Sequence, residues 1–304
     1  MLARLKRFAN RTFNVEIQNS EPLPVKFSEQ NAMGGGIEKT LKQILNELKT
    51  HRREIETIRF AATSSVMNEV TDFHAKQVLS LRESLEVLAN TDTSLARFGD
   101  GEFRMMLRQD FNLRFQTNSP ELQESLREVF TSDLPNLRVG FPQLFRDAHW
   151  SGVFQELWPS LNQLIVSDQK FVNAHISRPQ VFSLLGRQAV DLWRKVWDNK
   201  NVTIVTGEGS RFDLIPQLFD NVASTNQISS TSVNAFTDLG RIVAELRETK
   251  TDVVLIALGP AGTVLAHQLA KAGIRALDIG HLTNSYLNVF EGEVRPEAVP
   301  VTRK

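Results

Sequence analysis

The sequence contains no cysteine among its 304 residues. This absence excludes disulfide scaffolds, thiol nucleophiles, zinc knuckles and iron–sulfur clusters. Neither sign of charge is in excess, with 35 basic and 35 acidic side chains, so we do not expect the broad cationic surface that nucleic acids require. Hydrophobic residues make up 41% of the chain, which is enough to build a sizeable core and excludes wholesale disorder.

Long hydrophobic runs are also missing. None approaches the roughly 18 apolar residues of a membrane-spanning helix, and the first seven residues lack the apolar core and cleavage site of a secretory signal. We therefore expect a cytoplasmic protein. Residues 1–36 are basic near their start and end in Gly34–Gly36, which predicts a flexible arm. Such an arm either stays solvated or contacts the inner face of an anionic membrane.

Residues 37–90 have a helical pattern with a heptad spacing at its start. The apolar residues in alternating three- and four-residue steps are Leu41, Ile44, Leu48, Ile55 and Ile58, with His51 in the remaining slot. This spacing is typical of a coiled coil. It predicts either a homo-oligomer formed through residues 37–65 or a helix that packs on its own catalytic domain.

From residue 91 to 290, short β-branched runs alternate with longer helical patterns, and residues 291–304 form a C-terminal tail. This alternation predicts a Rossmann-like α/β fold with a mostly parallel sheet flanked by helices. The predicted strands are Ser94–Phe98, Arg138–Phe141, Phe171–Ser177, Val202–Thr206, Asn221–Ser224, Asp252–Leu258 and Ile274–Ile279. The predicted helices among them are Pro120–Phe130 with Ser119 as N-cap, Asn234–Arg247 and Gly262–Lys271.

Two carboxylates follow the first predicted strand, in Gly99-Asp100-Gly101-Glu102. On an extended backbone, residues two apart point to the same side. Paired carboxylates suit Mg²⁺ or Mn²⁺, and such a cation would neutralise a diphosphate. The alternative is a glycine turn with solvated acids. Arg97, which precedes them, either contacts a phosphate or pairs with an acid.

Two other strand ends are rich in glycine and predict anion sites, because a helix N-terminus after such a loop offers free N–H groups. Neither loop has the dinucleotide-binding or Walker pattern, and plain tight turns are the alternative. After the last strand, His281 is placed to act as a metal ligand, a phosphate donor or a base. Asn234 is either a helix N-cap or a ligand contact. The two loops are Gly207-Glu208-Gly209-Ser210-Arg211 and Gly259-Pro260-Ala261-Gly262-Thr263.

Together, these motifs resemble the GT-D-type glycosyltransferases, in the same order and over about residues 90–285. The resemblance implies a metal-dependent transferase that uses Mn²⁺ or Mg²⁺ and a UDP-sugar, most typically UDP-glucose, with a glycan or glycoconjugate acceptor in cell-surface glycan assembly. Asp100 and Glu102 match the family's Asp-x-Glu motif, and the pattern Gly-Pro-x-x-Thr … Gly-His is matched by Gly259, Pro260, Thr263 and His281. The chain departs from the family at Ala261 and Gly262 and after His281.

The resemblance assigns Asp100 and Glu102 to the metal, and His281 is the further candidate, as a metal ligand or as a contact to the diphosphate. Glu208 and Asp238 are the candidates for the base that an inverting transfer needs. The expected donor contacts are Arg97, Gly99, Gly101, Gly207, Gly209, Arg211, Asn234, Gly259, Pro260, Gly262, Thr263 and His281. The alternatives are a non-catalytic nucleotide-sugar sensor or scaffold and another nucleotide-dependent enzyme on the same sheet, such as a dehydrogenase.

Overall fold

A computed structural model describes residues 30–210 and 212–298. The chain divides into two compact units, Met1–Ile58 and Arg59–Lys304. Helix α1 spans Gln30–Gln77, so Gly34–Gly36 lie inside a helix. The sequence analysis predicts a flexible arm over residues 1–36, of which residues 1–29 lie outside the described residues. The unit boundary at residue 59 precedes the predicted one at residue 91.

The seven strands found among the described residues of the second unit form one parallel sheet in the order β3-β2-β1-β7-β6-β4-β5. The predicted α/β class is confirmed, and the sheet is parallel at every pairing. The strands are β1 Ser94–Arg97, β2 Leu137–Phe141, β3 Val172–Asn173, β4 Asn201–Gly207, β5 Ser224–Ser230, β6 Val253–Ala257 and β7 Ala276–Asp278.

Helices cover both faces of the sheet. Those after α1 are α2 Leu81–Asn90, α3 Asp100–Leu107, α4 Pro120–Phe130, α5 Ala148–Leu164, α6 Pro179–Leu185, α7 Arg187–Trp197, α8 Pro216–Phe219, α9 Leu239–Glu248, α10 Pro260–Lys271 and α11 Leu282–Phe290. Short 3-10 turns are Ala174–Ser177, Ala235–Asp238 and Pro296–Ala298. Among the described residues, no helix combines the length and apolar character that crossing a membrane requires.

Alternating strand residues enter two separate cores. Ala96 and Val254 face the core formed with α3, α4, α5, α10 and the end of α1. Leu95 and Val253 face the core formed with α2, α7 and α11. This alternation follows from the two-residue side-chain period of a strand and explains why the central strands are apolar on both faces.

Two strand predictions were wrong. The segment Phe171–Ser177 contains only the short strand β3, because Asn173 accepts a hydrogen bond from His175 N at 2.9 Å and starts a 3-10 turn. Strand β5 follows the predicted Asn221–Ser224 and overlaps it at one residue. β5 lies at the sheet edge with four exposed residues at its start, so it lacks the hydrophobic run by which buried strands are recognised.

Candidate active site at the carboxyl edge of the sheet

Three neighbouring strands in the middle of the sheet end at the predicted motifs. β1 is followed by Gly99 and Asp100, β7 by Gly280 and His281, and β6 by Gly259. Because the strands are parallel, their carboxyl ends lie at the same edge of the sheet, which is where open α/β folds bind ligands. The structure therefore brings these motifs together.

A buried ion pair joins β1 to β7 at this edge. Arg97 Nη2 lies 3.1 Å from Asp278 Oδ1, and the two side chains are 12% and 4% exposed. Arg97 also donates to the main-chain oxygens of Asp278 at 2.7 Å and Ala174 at 3.2 Å. The sequence predicts that Arg97 either contacts a phosphate or pairs with an acid, and in the structure it pairs with Asp278.

Gly280 and Thr263 pack directly around this pair. Gly280 has φ +48°, and a Cβ there would collide with the Arg97 guanidinium, so a side chain is excluded by both backbone and space. The Thr263 hydroxyl donates to Arg97 O at 2.8 Å and is fully buried. Thr263 was predicted to contact the donor, but its hydroxyl is used within the protein to tie helix α10 to β1.

Helix α10 approaches the sheet closely at its first turn. A Cβ on Gly262 would lie 2.9 Å from Ile256 Cγ2, so only glycine allows this packing distance. The helix begins at Pro260, after Gly259 as N-cap. Beside Gly259 lies the Phe115 ring from the loop after α3, which is 45% exposed. The α10 N-terminus, a favourable end for anions, thus lies at the candidate site with an aromatic ring next to it.

Asp100 and Glu102 occupy the first turn of helix α3. The expectation that they extend from a strand on one side was wrong, because β1 ends at Arg97 and Gly99 is the helix N-cap. In a helix, residues two apart are separated by about 200° around the axis. The two carboxylates accordingly have different neighbours.

Glu102 faces the interior of the site. Its Oε2 accepts a hydrogen bond from Gly99 N at 2.9 Å, which caps α3. Burial, and then the negative charge of Asp278, raise the pKa of Glu102. Glu102 thus lies near enough to the Arg97–Asp278 contact for the charges of that pair to act on it.

Asp100 faces outward and contacts two cationic or titratable side chains. Its Oδ2 lies 3.3 Å from Arg104 Nη1 and 3.3 Å from His149 Nε2. The Asp100 side chain is 38% exposed. Arg104 also lies 3.5 Å from Glu156. His149, which sequence reasoning did not select, is brought to the site by the first turn of helix α5.

A second histidine lies at the end of β3. His175 Nδ1 accepts a hydrogen bond from Gln143 N at 3.0 Å, and its ring contacts the rings of Phe145 and Trp150. Burial, and then the charge of Arg178, lower the pKa of His175 to about 3. His175 is therefore a neutral imidazole whose orientation is held by this hydrogen bond.

The two base candidates lie after β4 and in the 3-10 turn that follows β5. Glu208 is exposed directly after β4, beside Gly207, and Gly209 follows it with φ +70°. The Asp238 carboxylate is held by Arg241 at 2.7 Å and Ser230 at 3.1 Å, and the hydrogen bond from Arg241 lowers its pKa. Arg211 lies outside the described residues.

Asn234 differs from its prediction as a helix N-cap. Its φ is +56° and its side chain makes no cap hydrogen bond. Instead, its Oδ1 accepts a hydrogen bond from Thr117 N at 2.8 Å, and its N–H donates to Phe115 O at 2.8 Å. Asn234 thus anchors the loop that carries Phe115 beside helix α10.

The residues present are compatible with a divalent cation that also binds phosphate. Residues 30–210 and 212–298 contain no group of three or more His, Asp or Glu side chains placed to hold a metal ion. Mg²⁺ at a diphosphate, however, uses only one or two carboxylates and completes its shell with phosphate oxygens and water. The half-exposed Asp100 carboxylate is a hard oxygen donor of this kind, and the half-buried His281 follows the neighbouring strand.

A cavity of about 650 Å³ opens at the opposite, amino edge of the sheet, next to Asp92, Lys200 and Arg275. Arg275 there is already held by Asp92 at 3.2 Å and by the main-chain oxygen of Leu88 at 2.7 Å. None of the predicted motifs lines this cavity, so we place the candidate site at the carboxyl edge.

Comparison with known proteins identifies the family of this chain. A family model described as the glycosyltransferase GT-D fold matches residues 95–302, which include every motif named above. The chain belongs to the GT-D glycosyltransferase family. The resemblance drawn from the sequence is thereby confirmed.

Two streptococcal proteins are also similar to this chain. Glycosyltransferase GlyD of Streptococcus pneumoniae serotype 4 is 25% identical over 280 residues, which cover 88% of this chain and 33% of that protein. The probable glycosyl transferase Gly of Streptococcus gordonii is 30% identical over 228 residues, covering 69% of this chain and 32% of that protein. The GT-D chain described here thus spans about a third of the length of these relatives.

Solved structures share the fold. A structure described as a new glycosyltransferase from Streptococcus sanguinis superposes with a TM-score of 0.64 and 29% identity, over 71% of this chain and 85% of that chain. A structure of domain of unknown function 1792 gives a TM-score of 0.69 at 24% identity, over 80% and 90% of the two chains. The second match concerns the fold alone.

Sequence reasoning missed Asp278, His149 and Phe115. Asp278 is separated from Arg97 by 181 residues, and only the adjacency of β1 and β7 brings them together. A signal was nevertheless present, because Asp278 is an acid near the carboxyl end of a predicted strand. His149 and Phe115 lie at a helix start and on a loop, where no periodicity indicates the direction of a side chain.

Proposed function

We propose that this GT-D chain transfers a hexose, most simply glucose, from a UDP-sugar to a saccharide or glycoconjugate acceptor in cell-surface glycan assembly, with Mn²⁺ or Mg²⁺ at the donor. Family membership supports the transferase class and the use of a nucleotide-sugar donor. The observation that carries the finer proposal is the meeting of Asp100, His281 and the α10 N-terminus at one edge of β1, β7 and β6.

The reaction is a substitution at the anomeric carbon. The acceptor hydroxyl oxygen bonds to that carbon, and the bond from the carbon to the β-phosphate oxygen breaks. UDP leaves with the electron pair of that bond, while the hydroxyl proton passes to a base. The products are the glycosylated acceptor, UDP and a proton. The main demand on the protein is to stabilise the charge that develops on the leaving diphosphate.

In this proposal, the diphosphate of the donor lies beyond the carboxyl ends of β1, β7 and β6. Asp100 would hold the divalent cation, with Glu102 and His281 as the further candidates from the sequence. A bound cation supplies Lewis-acid and electrostatic stabilisation of the leaving group. The start of α10 adds the positive end of a helix dipole for the same charge.

The central ion pair has a positioning role in this proposal. Arg97 is already paired with the Asp278 carboxylate and donates hydrogen bonds to two main-chain oxygens, so we do not assign it to the phosphate. It fixes the relative placement of β1 and β7, and thereby of Asp100 and His281. Thr263 contributes in the same way through its hydrogen bond to Arg97 O.

Glu208 is the better of the two candidates for the base. Its carboxylate is exposed after β4, whereas that of Asp238 is held by Arg241 and Ser230. A carboxylate with a lowered pKa that is already paired accepts a proton poorly. β4 is separated from β1 by two strands, or roughly 14 Å at the usual strand spacing, which leaves room for a diphosphate sugar between Asp100 and Glu208.

Thermal shift with UDP-sugars tests the donor site. UDP-glucose, other UDP-sugars and free UDP are each offered with Mn²⁺, Mg²⁺ or EDTA to the wild type and to Asp100→Asn. A ligand at a hundred times its dissociation constant stabilises the fold by about 2.7 kcal/mol. We expect a UDP-sugar to raise the melting temperature only with metal, and Asp100→Asn to lose this rise.

Asp168→Asn is the matched control. It removes an exposed carboxylate that precedes β3, at the amino edge of the sheet and therefore away from the proposed donor site. It should respond to ligand as the wild type does. Release of UDP in the presence of acceptor saccharides then separates a transferase from a sugar-nucleotide sensor. Stabilisation by UDP-sugars without turnover on any acceptor would favour the sensor. If a UDP-sugar stabilises the protein equally without metal, or stabilises Asp100→Asn as much as the wild type, the proposed donor site is refuted.

A further inference from the structure

Exposed hydrophobic side chains are concentrated on one segment of helix α1. Of the fourteen large hydrophobic residues exposed in the described part of the chain, seven lie between residues 37 and 58. They are Ile37, Leu41, Ile44, Leu45, Leu48, Ile55 and Ile58, and their exposed fractions are between 41% and 67%. A monomer rarely leaves so many apolar side chains in water along one helix, so this face indicates an interaction surface.

All of these exposed residues except Leu45 occupy two positions of a heptad repeat, a and d. Leu41, Leu48 and Ile55 are at position a, and the d positions begin at Ile37, which extends the spacing found in the sequence by one step. The d residues are Ile37, Ile44, His51 and Ile58. We call these seven positions the α1 seam. A straight run of a and d residues is the narrow stripe of a coiled coil rather than the wider face that packs on a globular core.

The α1 seam ends where the helix begins to pack within the second unit. Arg59 Nη1 donates to Arg146 O at 2.9 Å and to Ser151 Oγ at 2.7 Å. Met67 and Val70 are then buried in the core of that unit. The same helix thus has an internal packing region after residue 58 and an apolar seam before it.

Charges beside the α1 seam discriminate between helix orientations. Glu47 is at position g and Arg52 is at position e of the next heptad, and both are exposed. In a parallel, in-register coiled coil, g of one helix faces the following e of its neighbour, so Glu47 meets Arg52 of another copy. In an antiparallel pair, g faces g, so Glu47 meets a glutamate of the other copy, Glu47 or Glu54, and the Glu47–Arg52 contact is lost.

We propose that residues 37–58 join three or four copies of this chain in a parallel, in-register coiled coil. The stoichiometry follows from the core residues, because leucine at a with isoleucine at d favours trimers and tetramers over dimers. Leu45 at position e supports it, since the e positions become partly buried when more than two helices associate. Each copy leaves the coil at the same end, after Ile58.

A lipid surface fits the α1 seam less well than a second copy. Residues 37–58 carry five basic and four acidic side chains, so the polar face has almost no net charge. Helices that lie on membranes combine their apolar face with an excess of lysine and arginine. The alternating charges on this helix are instead typical of a surface that pairs with a helix of the same sequence.

The mass of the full-length chain in solution tests the proposal. Sedimentation equilibrium should give three or four times the 34.3 kDa of the monomer. Leu48→Asp places a charge in the α1 seam and should give a monomer over the same concentrations. Asn46→Asp adds the same carboxylate on the outer face of the helix, at position f, and should leave the mass unchanged. A wild-type monomer or dimer would overturn the proposal.

Folding of the second unit serves as the control for these variants. Leu48 lies in the first unit and is 59% exposed, so the tryptophan fluorescence and its melting transition should be retained in Leu48→Asp. If Leu48→Asp unfolds, Glu47→Arg replaces it. The single change puts arginine against Arg52 and should weaken the assembly at least tenfold, and Glu47→Arg with Arg52→Glu should restore it. Failure of the double variant to restore the mass would refute the parallel register.

Disulfide trapping measures the orientation independently, because the chain has no cysteine of its own. Two Ile37→Cys chains should form a disulfide between their introduced thiols under mild oxidation. In an antiparallel pair over residues 37–58, these two thiols would be separated by the length of the seam, roughly 32 Å, and no bond could form. Trapping of an Ile37→Cys chain with an Ile58→Cys chain, without any bond between two Ile37→Cys chains, would therefore contradict the proposal.

Discussion

Removing one partner of the buried Arg97–Asp278 pair should destabilise the second unit strongly. Removing one partner of a buried ion pair lowers the free energy of unfolding by about 3–5 kcal/mol, because the other charge stays buried without compensation. In Asp278→Ala, Arg97 keeps its hydrogen bonds to the main-chain oxygens of residues 278 and 174, at 2.7 and 3.2 Å. Two of its three contacts therefore survive, and we expect the lower end of the range, about 3 kcal/mol.

The double variant separates the ion pair from the loss of packing. Arg97→Met removes the charge while filling much of the space, and it leaves the Asp278 carboxylate without its cation. Arg97→Met with Asp278→Ala removes both charges, so neither remains buried alone. We expect the double variant to cost less than the sum of the two single variants by about 1–3 kcal/mol, the range seen for residues in direct contact.

Urea unfolding followed by tryptophan fluorescence provides the measurement. All four tryptophans lie in the second unit, and Trp158, Trp193 and Trp197 are buried, so the signal reports that unit alone. At an m-value of about 2–3 kcal/mol per molar urea, a loss of about 3 kcal/mol lowers the midpoint by about 1–1.5 M. A cost below about 1 kcal/mol for Asp278→Ala, with additive single variants, would mean that the pair is not a buried contact.

Two further predictions concern the same edge of the sheet. Gly280→Ala should lower the free energy of unfolding by about 1–2 kcal/mol because of its positive φ, and by about 1–3 kcal/mol more because the methyl group displaces Arg97. Gly273→Ala is the control, since Gly273 has φ +74° but open space around it, and its urea unfolding should show only the first loss. Equal losses in the two variants would exclude the collision with Arg97. His175 stays neutral in the folded state because its pKa is lowered to about 3, whereas the unfolded chain binds a proton below about pH 6.5. The free energy of unfolding should therefore fall as pH drops from about 6.5 towards 3, by up to about 1.4 kcal/mol per pH unit. The urea midpoints at pH 7 and pH 5 should differ less in His175→Asn than in the wild type. An equal difference in both proteins would mean that another group causes the loss.

Elements with strong local signals were predictable from the sequence. Helix α4 begins at Pro120 as predicted, and its N-cap Ser119 accepts a hydrogen bond from Leu122 N at 3.2 Å. The strands β4 and β6 are recognisable because both faces of a central parallel strand are buried. Edge strand β5 has no such constraint, and its sequence Ser-Thr-Asn-Gln-Ile-Ser-Ser carries one hydrophobic residue.

The position of the site was predictable, but its local backbone was not. The sequence placed Asp100 and Glu102 after β1 correctly, since glycine after an apolar run ends a strand. It did not show that helix α3 starts at Asp100, because Asp-Gly-Glu is also typical of a turn. Partners distant in the chain, such as Arg97 and Asp278, depend on the order of strands, which local patterns do not encode.

The start of helix α3 has a consequence for how the two acids are used. Had they extended from a strand, both would have faced the same ligand. In the first turn of a helix, Glu102 instead turns inward to Gly99 N, while Asp100 remains 38% exposed beside Arg104 and His149. Glu102 thereby stabilises the helix that presents Asp100, much as an N-terminal cap does. In the proposed transferase, the two matched residues of the Asp-x-Glu motif therefore have different positions, with one carboxylate at the donor and the other holding the first turn in place.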